Sequence, residues 1–564
     1  MQKESYLLSG NYGNGSKAAS KKNHKQRNDI YLGVIMQTGR TVLYTDVPEI
    51  TYDNVINVLR SVIPTHETNA SEIQMLLNFD SGIQPITRVK KSRPDIDCRC
   101  VDNVANEITE FALGFQFGSP MTLVQKGNKT DSQVSDGIIE LNENYEAVHI
   151  ASKTQEFARF LVIAGVAYVY IDTNMDWKDE SDGYFTEDVL DPRTTFVIRS
   201  SYYTDRRVML AGCYRKDSAG NKYYTCFSDK WRFEIVNAVK ITGSKRRRDR
   251  DNYNHGNSSG SRNVLNRIPI VEYIRSFDRT GLWERQIPEM NDLNLAISNF
   301  SNDVDQNTQA IWHGNDVVFP TKLVKNEDGT ETEVVVKPET NEWLLTYTPE
   351  NGKEPFVKPL AVDYDYAGML NNIITKRQLI LQKCNVPQRN DNSGGSTGVA
   401  MSDATGWSQA ETAAAKQQMI IDGCKMEEVA VVLEAIKKSP FINPDNPMLY
   451  LKKSDIAINV KRQKTYEMST KVNAMATLLS HGFYGEDVVN AIPFFDDPNE
   501  VWNRSKKLIE KYQKSIFEKT TQNQTQNQAQ GGEGEQKPNS DRTMQDLSDQ
   551  VSNSPVIDKS RTDK

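Results

Sequence analysis

The spacing of apolar residues changes along the chain and predicts a helical part followed by a β-rich part. From about residue 30 to 124 apolar residues recur every three or four positions, as in VDNVANEITEFALGF, which is typical of one-sided helices. From residue 167 to 274 they alternate with polar residues or cluster with aromatics. This second pattern predicts strands at AYVYID, TFVIRS, RRVMLAGCYR, KYYTCFSDKWRFEIV and IPIVEYI.

The next part predicts a helix, a small β insert and a second helix. PEMNDLNLAISNFSNDVDQNTQAIW carries a stripe with steps of mostly three and four, and Pro288 suits a first helical turn. The strands DVVF, TKLV, EVVVK and EWLLTYT follow, with NEDGT as a hairpin turn. Helical spacing returns in DYAGMLNNIITKRQLILQKCN, which Asp363 is placed to cap and Pro387 to end. The first stripe is Ile287, Met290, Leu293, Ile297, Phe300, Val304 and Ile311, and the second is Tyr366, Met369, Leu370, Ile373, Ile374, Ile380, Leu381 and Cys384.

A glycine-rich stretch and a further long helix come next. Ser408 and Glu411 have the spacing of a capping box, and Ser439-Pro440 marks the end of that helix. A last helical module runs from about Thr465 to Lys519. Two antiparallel helices with a β tip would make a projecting stalk. The two apolar stripes could be ordinary intramolecular core or contacts between subunits in a ring, and the β tip between them favours subunit contacts.

Composition at the two ends predicts disorder there, and no segment reads as a membrane anchor. Residues 1–29 and 519–564 are polar and poor in aromatics. The longest apolar run, Phe160 to Ile171, is too short to span a bilayer and predicts core. Without a signal peptide at its start, the chain is expected in a cytoplasm-like compartment. The excursion SKRRRDRDNYNHGNSSGS predicts an exposed loop whose basic cluster, Lys245 to Arg250, is solvated or contacts nucleic acid or an acidic partner.

Overall composition indicates a soluble protein of several domains that does not grip nucleic acid. The 564 residues have a net charge of −7 and 25% charged residues; the mean hydropathy is −0.62 and the pI about 5.7. DNA-gripping proteins are usually basic, because Lys and Arg must displace counterions from phosphates. The six cysteines are expected to be reduced thiols, since only Cys98 and Cys100 lie close together and one C-x-C pair is a poor zinc site.

The stretch RNDNSGGSTGVAMSDATGW, Arg389 to Trp407, is the strongest candidate for phosphate contact. A nucleotide-binding P-loop needs a lysine after its last glycine, but Gly398 is followed by Val399 and Ala400. A helix rather than a strand precedes the stretch, and no dinucleotide fingerprint is present. Three interpretations stay open: a nucleotide site, a plain linker, and a mobile loop that meets something large.

Motifs for catalysis or metal binding are missing from the sequence. The carboxylate pairs and the histidines form no grouping with metal-ligand spacing, and no G-x-S-x-G elbow is present. The pairs are Asp95/Asp97, Asp363/Asp365 and Asp496/Asp497, and the histidines are His24, His66, His149, His255, His313 and His481. We therefore predict no catalytic residues, no metal and no cofactor.

Several phrases, in order, resemble the SPP1-like family of tailed-phage portal proteins. NEITEFALGFQFGSPM resembles the early helix and turn of that family, and NRIPIVEYIRS with GLWERQIPEMNDLNLAISNFSNDVDQNTQA resembles the strand and first stem helix. SGGSTGVAMSDATGWSQAETAAAKQQ is similar to the loop whose hallmark is S-G-V-A. DIAINVKRQKTYEMSTKVNAMATLL with DVVNAIPFFDDPNEVW is similar to the C-terminal phrase. The resemblance covers roughly residues 70–515.

The resemblance implies an α+β, multidomain portal fold that assembles as a ring. Its parts would be a disordered arm (1–29), a wing (30–282), a first stem helix (283–313), a β-rich clip (314–362), a second stem helix (363–388), a tunnel loop (389–407), a long wing helix and return (408–459), an α-helical crown (460–518) and a disordered tail (519–564).

The resemblance also implies roles for individual residues. The tunnel loop would face DNA through Asn390, Asn392, Ser393, Ser396, Thr397 and Ser402. The clip would dock the motor and adaptors through Lys322, Lys325, Glu327, Asp328, Glu331 and Trp343. The stem would contact neighbouring subunits through Ile297, Phe300, Val304, Ile373 and Ile380.

By this resemblance the protein is a non-enzymatic subunit of a dodecameric DNA channel at one capsid vertex. Its partners would be double-stranded DNA, bound without sequence preference, the terminase large subunit, head-completion or adaptor proteins, and major capsid and scaffolding proteins. It would be found in the virion, and in the host cytoplasm during assembly, without membrane contact. The alternatives are a nucleotide-dependent enzyme that uses the glycine-rich loop, and another phage head structural protein.

Overall fold

The computed structural model describes residues 39–90, 94–126, 132–179, 181–238, 247–248, 252–255, 258–308, 312–315, 321–326, 328–335, 356–359, 364–387, 406–460, 468–491, 501–509 and 511. The chain divides into two compact units, Met1–Thr470 and Lys471–Lys564. The predicted arm 1–29 and tail 519–564 lie outside the described residues, as do the predicted strands DVVF and EWLLTYT.

Helices form where the sequence spaces its apolar residues every three or four positions. They are α1 (Val55–Asp80), α2 (Val104–Phe117), α3 (Ser132–Ala147), α4 (Ile150–Ala164), α5 (Ile287–Thr308), α6 (Tyr366–Lys383), α7 (Trp407–Lys438), α8 (Met468–Ser480) and α9 (Gly485–Ala491). Residues 501–509 are also helical. The predicted stalk helices correspond to α5 and α6, and the predicted long helix corresponds to α7.

Strands fill the region where the sequence alternates. They are β1 (Leu43–Thr45), β2 (Thr122–Gln125), β3 (Val166–Thr173), β4 (Phe185–Leu190), β5 (Thr195–Ser200), β6 (Val208–Lys216), β7 (Lys222–Phe227), β8 (Trp231–Val236), β9 (Arg247–Arg248), β10 (Asn252–His255), β11 (Ser258–Arg262), β12 (Ile270–Ile274), β13 (Trp312–Asn315), β14 (Thr321–Lys325), β15 (Glu331–Val335), β16 (Phe356–Pro359) and β17 (Ile456–Asn459). The strands predicted between residues 167 and 274 are therefore confirmed as β3, β5, β6, β7, β8 and β12.

Two sheets organise the first unit. An eight-stranded sheet has the order β1-β5-β6-β7-β8-β11-β10-β9, and a three-stranded sheet has the order β12-β3-β4. Strand β1 lies parallel to β5, whereas the other pairs in both sheets are antiparallel. The long helix α7 packs across β3 and β12. Its apolar residues, among them Val432 and Ile436, share one core with α3, α4 and the three-stranded sheet.

The prediction that residues 244–261 form an exposed loop is wrong for the part that the structure describes. Strand β11 pairs with β8 over its full length, from Ser258 opposite Ile235 to Arg262 opposite Trp231. Strands β10 and β9 extend the sheet further. Ser258 is buried, because the edge of the sheet continues beyond β8. A strand of Ser and Gly has no apolar alternation, so the pattern does not reveal it.

The long apolar run from Phe160 to Ile171 is split between the end of α4 and strand β3, and most of it is buried, which confirms the predicted core. Gly165 makes this change of direction with a φ of +75°. A Cβ at this position would lie 2.5 Å from the backbone of Thr280, so only glycine fits. The run is continuous in sequence because the end of α4 is buried and both faces of β3 are covered, each by a different core cluster.

The stalk helices differ from prediction mainly at their ends. Helix α5 has Pro288 in its first turn, as predicted, but Trp312 already belongs to β13, so the helix does not reach residue 313. Helix α6 begins at Tyr366, and its cap is Asp365, whose carboxylate accepts a hydrogen bond of 2.8 Å from the Gly368 amide. The cap predicted at Asp363 is therefore wrong by two residues, and Asp363 lies outside the described residues.

Helices α5 and α6 run antiparallel, as predicted. Lys383 pairs with Glu289 at 2.7 Å, and Lys376 pairs with Asp292 at 2.5 Å. Further along, the Phe300 ring meets the edge of the Tyr366 ring at a centroid distance of 5.9 Å. Residue numbers thus rise on one helix as they fall on the other.

The start of α7 also differs from prediction. Gly406 is the N-cap, with a φ of +89°, and no side chain caps the helix. Because the left-handed backbone at Gly406 starts the helix at Trp407, Ser408 falls inside the first turn, and the predicted capping box with Glu411 does not form. The end of the helix at Lys438, just before Ser439-Pro440, is as predicted.

A stripe of small polar side chains on α5 is buried under an extended segment of the chain. Asn294, Ser298 and Asn302 lie four residues apart and are buried, although the sequence pattern alone would leave them in solvent. Residues 98–102, which lead into α2, run along this stripe. Four helical residues rise about 6 Å and two extended residues rise about 6.6 Å, so the two repeats nearly coincide.

Every second residue of the segment is hydrogen-bonded to the stripe. The Cys98 amide donates to Asn302 Oδ1 (2.8 Å), the Cys100 amide to Ser298 Oγ (3.0 Å), and the Asp102 amide to Asn294 Oδ1 (2.9 Å). Asn302 Nδ2 also donates to the Cys98 carbonyl at 3.3 Å. The segment is thus fixed to the helix as a strand is fixed to a sheet, with side chains in place of a second backbone.

We predict that Asn302→Ala lowers the free energy of unfolding by about 1–3 kcal/mol, because the Cys98 amide and carbonyl lose their buried partner. Urea denaturation followed by intrinsic fluorescence measures this. Asn291→Ala is the matched control, since Asn291 is exposed on the same helix, and a change within about 0.5 kcal/mol is expected there. Equal effects of the two substitutions would show that the buried stripe contributes nothing of its own.

Candidate functional site

The base of the stalk is joined to the helices beneath it by a chain of buried hydrogen bonds. Trp283 Nε1 donates to Thr109 Oγ1 at 2.9 Å, and Thr109 Oγ1 donates to Asp80 Oδ1 at 2.6 Å. Arg159 then pairs with Asp80 Oδ2 at 2.9 Å. Asp80, Thr109 and Trp283 are buried, so the polar atoms of each depend on the neighbouring group in this chain for a hydrogen-bond partner. These bonds hold the start of the stalk to α1, α2 and α4.

A second buried link is ionic. Arg40 pairs with Glu72 on α1 at 3.1 Å and with Glu284, just before α5. Glu284 Oε2 also accepts a hydrogen bond of 2.7 Å from the Gly281 amide. Burial raises the pKa of Glu284, and Arg40 counteracts this rise. Arg40, which precedes β1, is therefore the cation shared by α1 and the turn that opens the stalk.

The stem residues predicted from the sequence fall into four environments. Ile297 and Ile373 pack against a core cluster that contains Met290 and Leu293, and Val304 is 37% exposed. Ile380 is 1% exposed within its own chain, so the prediction that it contacts a neighbouring subunit is wrong. Its helix turns it into the core beside Trp283. Phe300, as described, contacts Tyr366 across the stalk.

The apolar side chains that α6 leaves outside are different ones. Leu370 is 48% exposed, and Ile374, one turn later, is 43% exposed. Leu379 is 49% exposed and lies two and a half turns from Leu370, on the opposite side of the helix. The apolar stripe predicted for this helix included Leu370 and Ile374, but its residues cover more of the helix surface than one partner can bury. Only the packing of α5 against α6 separates the covered half from the open half.

The β tip of the stalk carries the predicted clip residues. Strands β14 and β15 form the predicted hairpin around NEDGT, and all their side chains are exposed. Lys325 pairs with Glu331 at 3.3 Å, and Lys322 lies opposite Val334. In the turn, the hydroxyl and amide of Thr330 bond to Asp328, which lowers the pKa of that carboxyl. Glu327 and Trp343 lie outside the described residues.

The glycine-rich loop can be located only by its two ends. All six residues predicted to face DNA, from Asn390 to Ser402, lie outside the described residues. The described chain stops at Pro387 and resumes at Gly406, and a Cβ on Gly406 would lie 3.9 Å from Pro387 Cα. The loop therefore leaves and re-enters the fold at one point.

A buried set of ionisable groups on α7, α3 and the three-stranded sheet has strongly shifted pKa values, which are common at active sites. Burial, with the nearby Glu428, raises the pKa of Glu187 to about 8. Glu428 accepts hydrogen bonds from Tyr145 at 3.1 Å, from Tyr273 and from Lys425. Both carboxylates are buried between α7 and the three-stranded sheet, out of reach of a substrate, so the set holds α7 in place.

The described residues show neither a metal site nor a helix that could span a membrane. They contain no group of three or more His, Cys, Asp or Glu residues that could hold a metal ion. No helix in this part of the chain is both long and apolar enough to cross a membrane. The six cysteines are free thiols, as predicted.

Comparisons with known proteins connect this architecture to a family. The family model described as "Phage portal protein, SPP1 Gp6-like" matches residues 60–515. A chain of "Neck of native GTA particle computed with C12 symmetry" is similar with a TM-score of 0.36 and 9% identity, over 70% of this chain and 90% of that chain. A chain of "Neck of empty GTA particle computed with C6 symmetry" has a TM-score of 0.33 and 11% identity, over 68% and 87%.

The search of curated proteins returned no match. The family model, in contrast, spans both sheets except strand β1, the whole stalk, the long helix and the second unit as far as residue 515 of 564. The chain belongs to the SPP1 Gp6-like phage portal protein family.

Proposed function

We propose that this portal protein is the subunit of a ring-shaped DNA channel at one capsid vertex, through which the genome is packaged by a separate terminase motor and later ejected. The match to the portal family over residues 60–515 is the observation that carries this proposal. The family is structural, and the protein would accordingly carry out no catalysis. It would reside in the virion, after assembly in the host cytoplasm with capsid and scaffolding proteins.

The stalk supports assembly into a ring, for which we propose twelve copies. Exposed Leu370 and Ile374 form an apolar pair on α6, and Leu379 lies on the opposite side of the same helix. A ring is built from head-to-tail contacts, in which each subunit presents two different surfaces. Apolar side chains on opposite sides of one helix suit this requirement, since each side would meet a different neighbour.

We predict that Ile374→Asp prevents ring formation while the subunit still folds, because a charge would be buried in the contact between stalks. Removing or misplacing a buried charge costs several kcal/mol, so the fraction of subunits in rings should fall at least about tenfold. Negative-stain electron microscopy of the purified protein measures this.

Ser218→Asp is the control, since it adds the same charge at an exposed position in the turn between β6 and β7, outside the stalk. Wild-type rings with a central hole would support the proposed function, and wild-type monomers or dimers would contradict it. Rings of normal abundance with Ile374→Asp would exclude the contact at Leu370 and Ile374.

We further propose that the loop between Pro387 and Gly406 faces DNA in the channel. Ser, Thr and Asn side chains contact phosphates without reading bases, which suits a sequence-independent conduit. The net charge of −7 also suits a channel through which DNA must slide in both directions, since strong phosphate neutralisation would hold it.

Deleting residues 392–400 is predicted to leave rings intact and to reduce DNA packaging or retention. DNase-protected DNA in particles built around the variant ring measures the effect. Loss of the ring itself would mean that the loop has a structural role, and unchanged packaging would contradict its contact with DNA.

The exposed hairpin β14–β15 is proposed as the docking surface for the terminase large subunit and, later, for head-completion or adaptor proteins. Lys322 and Lys325 supply positive charge there, and both side chains are exposed rather than packed in a core. Exposed charges of this kind steer association and set its salt dependence.

We predict that Lys322→Glu with Lys325→Glu weakens binding of purified terminase large subunit to the ring by roughly tenfold, with rings still formed. Surface plasmon resonance at two salt concentrations measures this. Lys437→Glu with Lys438→Glu, at the end of α7, is the matched control. Equal weakening by both pairs would indicate a general effect of charge and exclude a docking role for the hairpin.

A further inference from the structure

An aromatic cluster lies where the glycine-rich loop rejoins the fold. Trp407, the first residue of α7, packs against Phe111 and Phe115 of α2, with ring centroids 6.0 and 5.6 Å apart. Phe111 and Phe115 stack on each other at 5.5 Å. Phe115 is buried together with Ala410 and Ala414, which follow Trp407 on α7. The cluster is separate from the large cores of the unit and joins only these two helices.

The other end of the loop is held by the same helix. The last turn of α6 places Leu381 and Cys384 in a core cluster with Ala105 and Ile108 of α2. A tight turn follows, in which Asn385 has a φ of +58° and the Val386 amide donates to the Leu381 carbonyl at 2.9 Å. Val386 packs against the same cluster.

Charge adds a further contact between α6 and the start of α2. Arg377 pairs with Asp102 at 3.0 Å and also with Glu107. These three groups are about one-third exposed, so their contribution is modest and mainly sets the position of α6 along α2.

Helix α2 is thus the common support of both loop ends, one held by an aliphatic cluster at Ala105 and Ile108 and the other by an aromatic cluster at Phe111 and Phe115. The two clusters lie within about three turns of one helix, which agrees with the closeness of Pro387 and Gly406. Gly406, with a left-handed backbone, directly precedes Trp407, and no side chain caps the helix there. Among the described residues, the start of α7 is held to α2 by the ring contacts of Trp407.

We propose that Phe111, Phe115 and Trp407 are positioning residues that fix the returning end of the loop to α2, so that force on the loop passes into α2 as well as into the stalk. This inference rests on the proposed function for its consequence, since the loop is the element proposed to meet DNA. The anchor itself is a property of the subunit.

The test is Trp407→Ala, with Trp407→Phe as the conservative variant. Losing two aromatic contacts should raise the undocked fraction of the helix start at least about fivefold. Hydrogen exchange at the amides of residues 410–414 should accelerate accordingly, while exchange at Val386 stays unchanged. Rings should persist, and DNase-protected DNA should fall towards the value of the 392–400 deletion. Trp407→Phe should restore both readouts to within about twofold of wild type.

Trp177→Ala is the matched control. Trp177 stacks on Tyr184 and Phe441 at 6.0 and 5.2 Å, so it also belongs to a cluster of three aromatics, but on another part of the unit. It should leave packaging unchanged. Normal exchange at residues 410–414 in Trp407→Ala would overturn the anchor, and so would normal packaging alongside a defective loop deletion. If wild-type protein formed no rings, the proposed function would fail, and the exchange measurement would still decide the anchor.

Discussion

Buried polar groups must be hydrogen-bonded, and the attachment of the stalk depends on this constraint. Asn294, Ser298 and Asn302 sit on the covered side of α5, where water cannot satisfy them. The extended segment 98–102 supplies backbone groups at nearly the same repeat, so stripe and segment fix each other's register. A slip of one residue would present the wrong backbone groups to all three side chains at once. Apolar packing alone would allow such sliding.

The polar stripe works together with the buried links below it. Trp283, Thr109 and Asp80 join the start of the stalk to α1 and α2, and Arg40 joins it to α1 through Glu72. Removing one member would leave another buried group unpaired, so these contacts are costly to break and specify one geometry. The polar segment 98–102 leads into helix α2, and α2 contacts both the end of α6 and the start of α7. It therefore lies at the centre of the connections between the stalk, the loop and the sheets.

The sequence was sufficient to predict the long elements because their apolar residues recur with a clear period. It was not sufficient where a single residue sets the end of a helix or where a partner distant in sequence sets strand pairing or burial. The stripes of α5 and α6 and the alternation of β5 to β8 were sufficient to identify those elements. The cap at Gly406 depends on one left-handed backbone conformation, which a capping-box motif two residues later obscured. Strand β11 is recognisable only by its partner β8. Ile380 and Ile374 look alike in the sequence, and only the crossing of two helices buries one and exposes the other.

The β14–β15 hairpin has a consequence for how the family can change. Neither of its faces is apolar throughout, since Leu323 lies opposite Glu333 and Val334 opposite Lys322. Its register is set by the turn, in which Gly329 has a φ of +82° and the Asn326 amide donates to the Thr330 carbonyl at 2.8 Å. Residues on its strands are thus free to vary without disturbing a core. Substitutions on this hairpin would therefore leave the packing of the rest of the subunit as it is.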